Sequence, residues 1–320
     1  MVPTPTPAAE PAADGGVMVV APAKLNLSLA VLSRRPDGFH EIESLMVPVS
    51  LADTLHVRRR VEPGVELSLT YGPSLTAGSA AALARAIPTD GRNLVVRAAE
   101  ALAREAGVTT GLAITLVKNV PSEAGLGGGS SDAAATIAAA ARLWRLDWSR
   151  ERLAAIGATI GSDVPWFFAA GPAIASGRGE HIEPVAELPA FAAVIACPAT
   201  GLSTAAVYAR CVPDPSRRGD ARRLVAALAT GDLAAAAPFM TNALEPPARA
   251  LSPDVDAVLA ALAEAGGVAP RLTGSGSACF ALVPTAAEAE VVAARLGQLR
   301  DAGHAPCAGI FVVRLAAPAA

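Results

Sequence analysis

The sequence predicts an α+β protein of two domains, an N-terminal mixed α/β domain and a C-terminal α+β domain. At 320 residues the chain exceeds one ordinary domain. Its strand and helix signals alternate irregularly, unlike a βαβ succession. A composition shift over residues 177–189 separates the halves, which places the domains at 17–185 and 186–320 behind a tail of residues 1–16.

Composition narrows the functional classes. Apolar residues make up 52% of the chain, and the formal net charge is -3, which argues against a general nucleic-acid binder but leaves room for a local basic pocket. Cys197, Cys211, Cys279 and Cys307 form no C-x-x-C pair, so reduced thiols in a cytoplasmic protein are expected instead of zinc or disulfides. Every apolar run is broken by charge, proline or glycine before it reaches the length of a membrane span. Residues 1–16, rich in Pro, Ala and Thr, lack the basic and apolar regions of a signal peptide and read as a disordered tail.

Along the chain, residues 17–32 predict one long strand in which Leu25, Leu27, Leu29 and Val31 alternate with Lys24, Asn26, Ser28 and Ala30. Pro36-Asp37-Gly38 is a turn signal that delivers Phe39 and His40. Strands are expected at 44–49, 54–60 and 65–70, then a variable loop at 72–90. A helix over 93–106 is closed by Gly107, and a strand follows at 112–117. Helices are expected at 131–144, with Asp132 at its positive end, and at 150–160. Beyond the boundary, strands are expected at 192–197, 278–283 and 309–315, and helices at 220–228, 253–265 and 286–299.

The chemistry concentrates in the run Pro121-Ser122-Glu123-Ala124-Gly125-Leu126-Gly127-Gly128-Gly129-Ser130-Ser131-Asp132, which joins a strand to an alanine-rich helix. Glycines let the backbone approach a ligand, and the helix points unpaired N–H groups into the loop. Together they make a polyphosphate cradle. The run lacks the lysine of a G-x-x-x-x-G-K-[ST] loop and does not complete G-x-G-x-x-G. A second glycine- and serine-rich turn, Thr273-Gly274-Ser275-Gly276-Ser277-Ala278, offers further N–H groups.

Four other features have two readings each. Lys24 and Asn26 share a strand face that is either a solvated edge or a cation and an amide held toward a ligand. Asp163 in Gly161-Ser162-Asp163-Val164-Pro165 is either part of a helix N-cap or a general base. Phe39 and His40 are either a packed ring and a surface imidazole or a platform for a flat base. Lys118 is either a solvated strand end or a group that reaches a nucleotide. His56, His181 and His304 are isolated and receive no role.

Taken in order, Pro22-Ala23-Lys24-Leu25-Asn26-Leu27, residues 121–134 and residues 273–278 resemble the three motifs of the GHMP small-molecule kinases. Within that superfamily, Arg35-Pro36-Asp37-Gly38-Phe39-His40, Gly161-Ser162-Asp163-Val164-Pro165 and Asn242-Ala243-Leu244-Glu245 are similar to the branch whose acceptor is 4-diphosphocytidyl-2-C-methyl-D-erythritol. The resemblance runs from about residue 17 to the end. It implies the two-domain GHMP fold, with an N-terminal ATP-binding domain and a ferredoxin-like C-terminal domain, acting as monomer or homodimer.

It also implies γ-phosphoryl transfer from ATP with Mg²⁺ to an alcohol, with no dedicated metal-ligand cage. Asp163 would take the hydroxyl proton and Lys24 would orient Asp163 and stabilise developing charge. Residues 121–131 would hold the ATP phosphates, with Lys118 beside them. Phe39 and His40 would receive the cytosine, Asn26 the erythritol end, and Thr204, Thr273, Gly274 and Ser275 would line the acceptor side. Two residues depart from the family pattern: Glu123 stands where glycine is usual, and Phe39 where tyrosine is commoner. Another GHMP acceptor, homoserine or mevalonate, or a silent nucleotide-binding module are the alternatives.

Overall fold

Two antiparallel-dominated sheets, each faced by helices, carry the chain in the computed structural model, which describes residues 9–169, 171–185 and 188–315. The first contains β1 (Ala9–Pro11), β2 (Val17–Asn26), β3 (Ala30–Arg34), β4 (His40–Arg60), β5 (Val65–Tyr71), β6 (Gly111–Lys118), β7 (Ala173–Gly177) and β8 (His181–Pro184). Its path is β1-β2-β4-β6-β5, with β3 and β7 pairing the start of β4 and β8 pairing β7. Only the β5–β6 pair is parallel among the described strands, and helix α1 (Leu94–Ala106) makes that crossover. Asn93 caps α1 by accepting from the Val95 N–H, and Gly107 closes it in a left-handed conformation, the latter as the sequence predicts. Helices α2 (Gly128–Leu143) and α3 (Arg150–Ile160) complete this half.

The second half begins with β9 (Ala192–Cys197), followed by short helices α4 (Thr204–Ala209), α5 (Asp220–Leu228), α6 (Leu233–Ala236) and α7 (Glu245–Leu251). Then come α8 (Pro253–Glu264), β10 (Val268–Leu272), β11 (Cys279–Val283), α9 (Ala286–Asp301) and β12 (Gly309–Arg314). With the short helices set aside, the order is βαββαβ and the sheet runs β10-β11-β9-β12, all antiparallel, which is the ferredoxin-like arrangement.

Helix α2 explains how the sheet and the phosphate-type loop come so close. Alanine is its commonest residue, and both its sheet-facing and outward sides are largely buried. A helix apolar all round belongs in an interior, and small side chains let its axis approach β2 and α1.

Three sequence expectations need revision. The single strand expected at 17–32 breaks after Asn26: Leu27 N–H still donates to Leu45, but Leu29 N–H donates to Thr241 of the other half. The strands expected at 44–49 and 54–60 are one continuous β4. Pro22 and Pro48 lack ladder N–H groups, and the β2–β4 register shifts between Pro22 and Lys24. Across this bulge the sheet exchanges cores: Val17, Val19, Leu55 and Val57 pack with the helices, whereas Ala23, Leu25, Leu45 and Val47 join the core shared with the second sheet. Finally, α2 begins at Gly128, so Asp132 sits in its second turn and not at its first exposed N–H groups.

Of the tail expected to be disordered, residues 1–8 lie outside the described residues. Ala9–Pro11, by contrast, pair with β2, and Asp14 accepts from the Gly16 N–H at 3.1 Å. The 72–90 segment holds two short 3-10 turns, Pro73–Leu75 and Gly78–Leu83, whose Leu75 and Leu83 are buried.

Phe280, fully buried at the middle of the second sheet, tests the shared core. Phe280→Ala is expected to cost about 3–5 kcal/mol of stability, read by chemical denaturation.

Candidate active site

Lys24 enters the site from β2 just past the bulge, which turns its side chain toward the helix side of the sheet. Its ammonium is buried, donates to the Asn26 side-chain oxygen, and lies 3.8 Å from Asp163 Oδ2. Burial pushes the Lys24 pKa down, and the Asp163 carboxylate opposes that shift. Asn26 is itself pinned: its side-chain amide donates to Ser44 Oγ at 2.8 Å, and its backbone N–H donates to Thr273 Oγ1 at 3.0 Å. Of the two readings of this pair, a solvated edge is excluded, since Lys24 and Asn26 are both buried.

Asp163 sits in the turn between α3 and a 3-10 turn at Pro165–Phe168. The packing of Val164, Trp166 and Phe167, all buried, fixes that turn from beneath. The carboxylate stays partly exposed, with its side chain 36% accessible, so that it opens on the cavity.

The two glycine loops lie against each other. The Ala278 N–H donates to the Ala124 carbonyl at 3.1 Å, and the Lys24 N–H donates to the Leu126 carbonyl at 3.0 Å. Gly125, at φ +77°, faces the Thr273 carbonyl with no space for a Cβ, and Gly127, at φ +71°, begins α2 against the Lys24 stem. Asn242 holds the second loop by donating to the Leu272 and Gly274 carbonyls, each at 2.8 Å. Thr204 and Ser275 share a hydroxyl hydrogen bond of 2.8 Å.

These elements enclose a cavity of about 570 Å³, lined by Lys24, Asn26, Asp163, the loop residues Pro121–Ser130, Thr204, Gly274 and Ser275. That size suits a small-molecule site. Thr273 reaches the site through Asn26, and Ser131 is buried behind the loop.

Phe39 and His40 stand at the rim. The Arg178 guanidinium, which lines the cavity, lies 4.9 Å from the Phe39 ring centroid, and His40 packs on Tyr208 at 5.1 Å. Burial pushes His40 down, with Arg34 adding to the shift. Tyr208 and Arg178 escaped sequence reasoning. Tyr208 lies on α4, a helix too short to announce itself, and Arg178 follows Gly177 in an unremarked turn.

Lys118 lines the cavity floor but its ammonium is already engaged, by Asp53 and by Asp132 at 2.7 Å. Asp53 also accepts from the Asn119 and Val120 N–H groups, at 2.6 and 2.8 Å, and so ties the start of the loop to β4. Burial pushes Asp132 up to about 8, although the Lys118 ammonium draws it down; its Oδ1 has no hydrogen-bond partner among the described residues.

Comparison with known proteins places this geometry. Residues 93–171 match the GHMP kinases N terminal domain and 224–300 the GHMP kinases C terminal domain. A 4-diphosphocytidyl-2-C-methyl-D-erythritol kinase of Rhodopirellula baltica is 41% identical over 86% of this chain and 89% of its own. The chain belongs to the GHMP kinase family. A second such kinase, of Salinibacter ruber, is 42% identical over 84% of this chain and 90% of its own. The crystal structure of a 4-(cytidine 5'-diphospho)-2C-methyl-D-erythritol kinase superposes with a TM-score of 0.73 at 33% identity, covering 95% of this chain and all of that one. Homoserine kinase from Cytophaga hutchinsonii has the same fold, with a TM-score of 0.72 at 21% identity over 95% of each chain. As a GHMP kinase the chain is an ATP-using small-molecule phosphotransferase. Among the described residues, no helix is long and apolar enough to cross a membrane.

Two outcomes test this geometry. Gly125→Ala puts a methyl group into the Thr273 carbonyl at a positive φ, and is expected to lower kcat/KM for ATP at least tenfold while the fold persists by circular dichroism. For Asp132, the folded state keeps a proton that the unfolded chain releases near pH 3.9, so stability falls as pH rises from about 4 to 8. Asp132→Asn removes that titration, and its thermal midpoint should fall less between pH 5 and 8 than that of the wild type.

Proposed function

We propose that this GHMP kinase transfers the γ-phosphoryl group of ATP to the 2-hydroxyl of 4-diphosphocytidyl-2-C-methyl-D-erythritol, in the non-mevalonate route to isoprenoid precursors. The observation that carries the reading is the Lys24–Asp163 pair, 3.8 Å apart and facing the glycine loop across one cavity. Relatives named for this activity, at 41% and 42% identity over most of the chain, supply the acceptor.

The residues divide the work. Residues 121–131, through the backbone N–H groups of the loop and of the first turn of α2, bind the ATP phosphates. The acceptor oxygen forms its bond to the γ-phosphorus as the bond to the β,γ-bridging oxygen breaks and ADP leaves. Asp163 takes the hydroxyl proton, and the buried Lys24 orients Asp163 and stabilises charge gathering on the transferred group. Lys24 is suited to this because Asn26 and Asp163 fix its ammonium in place.

Phe39, His40 and Tyr208 form the aromatic side on which a cytosine stacks. Asn26, Thr204, Thr273, Gly274 and Ser275 meet the erythritol end. Lys118, held by Asp53 and Asp132, supports the loop from below.

Among the described residues there is no cluster of three or more metal-binding side chains. A magnesium ion would be held by the ATP phosphates instead of by a dedicated side-chain cage. When bound, such an ion neutralises phosphate charge. Residues 17–185 then hold the nucleotide and part of the acceptor site, and 186–320 complete the acceptor side, within a cytoplasmic enzyme that works as monomer or homodimer.

Mg-ATP offered with the cytidyl acceptor, mevalonate and homoserine in parallel, with ADP release measured, decides the acceptor: turnover confined to the last two overturns the proposal. Asp163→Asn is expected to lower kcat about 10²–10⁴-fold while KM for ATP changes less than about threefold.

A further inference from the structure

Glu123 is the one acidic side chain within residues 121–131, and it stands in the left-handed region at φ +56°, where glycine is the easier residue. It also lines the cavity that holds Lys24 and Asp163. An unpaired carboxylate there would repel ATP. The structure gives it a partner from the 72–90 segment: Arg85 Nη1 lies 2.6 Å from Glu123 Oε2.

Arg85 is anchored at both ends. Its other terminal nitrogen donates to the Ala199 carbonyl at 2.7 Å, and its own backbone carbonyl accepts from the Tyr71 hydroxyl at the end of β5. The guanidinium lies so close to Gly201 that a Cβ there would strike it. One side chain therefore joins the nucleotide loop to residues 199–201, just before the acceptor-side Thr204. Arg85 is 29% accessible and Glu123 is 69% accessible, so the pair is worth little as a stability device. Its geometric effect is larger, because it fixes where the carboxylate points.

We propose that Arg85 is a positioning residue for the nucleotide: it holds the Glu123 carboxylate aside from the phosphate cradle and ties that cradle to the acceptor-side loop. The inference rests on the reading that ATP phosphates occupy residues 121–131. Arg85 acts on ATP through Glu123, so its effect exists only while Glu123 is charged.

A double-mutant cycle in steady-state kinetics tests this, with Mg-ATP varied at saturating acceptor. Arg85→Ala is expected to raise KM for ATP about fivefold while kcat stays within about twofold. In the Glu123→Gly and Glu123→Gln backgrounds, Arg85→Ala should leave KM for ATP at the value of the corresponding single variant. Raising ionic strength should narrow the gap between Arg85→Ala and wild type, since salt screens an exposed repulsion. An unchanged KM in Arg85→Ala overturns the proposal. So does an equal rise with Glu123 removed, which would mean that Arg85 contacts ATP itself or acts through general loosening. Wild-type protein that neither turns over nor binds ATP would instead sink the nucleotide reading, independently of the cycle.

Discussion

Burying an ammonium group costs several kcal/mol unless carboxylate and hydrogen-bonding partners are fixed around it, and the site is arranged around meeting that need for Lys24. Asn26 accepts one of its protons, and Asp163 stands across from it. Neither partner is free to adjust. Asn26 is held by Ser44 and Thr273, while the turn bearing Asp163 rests on the buried Val164, Trp166 and Phe167. The first glycine loop is set by the same requirement, since the Lys24 backbone donates to Leu126 and its side chain packs under Gly127. A charge kept in a dry place with its partners already in position suits phosphoryl transfer, in which stabilising and aligning charge matters more than covalent chemistry.

A second buried charge group works differently. Lys118 bridges Asp53 and Asp132, and Asp53 also holds the loop backbone, so this group braces the start of α2. The two lysines, both buried, are thus divided by their partners. One faces the cavity with a partly exposed carboxylate, and the other is closed off between the buried Asp53 and Asp132.

What was legible in the sequence was local. Glycine reports a backbone conformation wherever it stands, so both loops could be read from Gly125–Gly129 and Gly274–Gly276. Gly107 likewise marked the end of α1. Period-two alternation put Lys24 and Asn26 on one face, but it does not say which face is wet, because that depends on α2 arriving from more than a hundred residues away. The break after Asn26 was hidden for the same reason: Leu29 leaves its sheet for a partner at Thr241. Lys118 read as a strand end because Asp53 and Asp132 lie 65 and 14 residues off, and Arg85 sat in a stretch with no pattern at all, 38 residues from Glu123. Ion pairs between distant segments leave no periodic trace.

The unbroken run of β4 from His40 to Arg60 constrains how the gene can vary in length. Its first half pairs with β3 and β7 near the acceptor rim, and its second half with β6, which leads into the nucleotide loop. One codon inserted into either half would invert every side chain beyond it between the two cores. The span between the two ends of the reaction is therefore fixed as a count of residues along one strand.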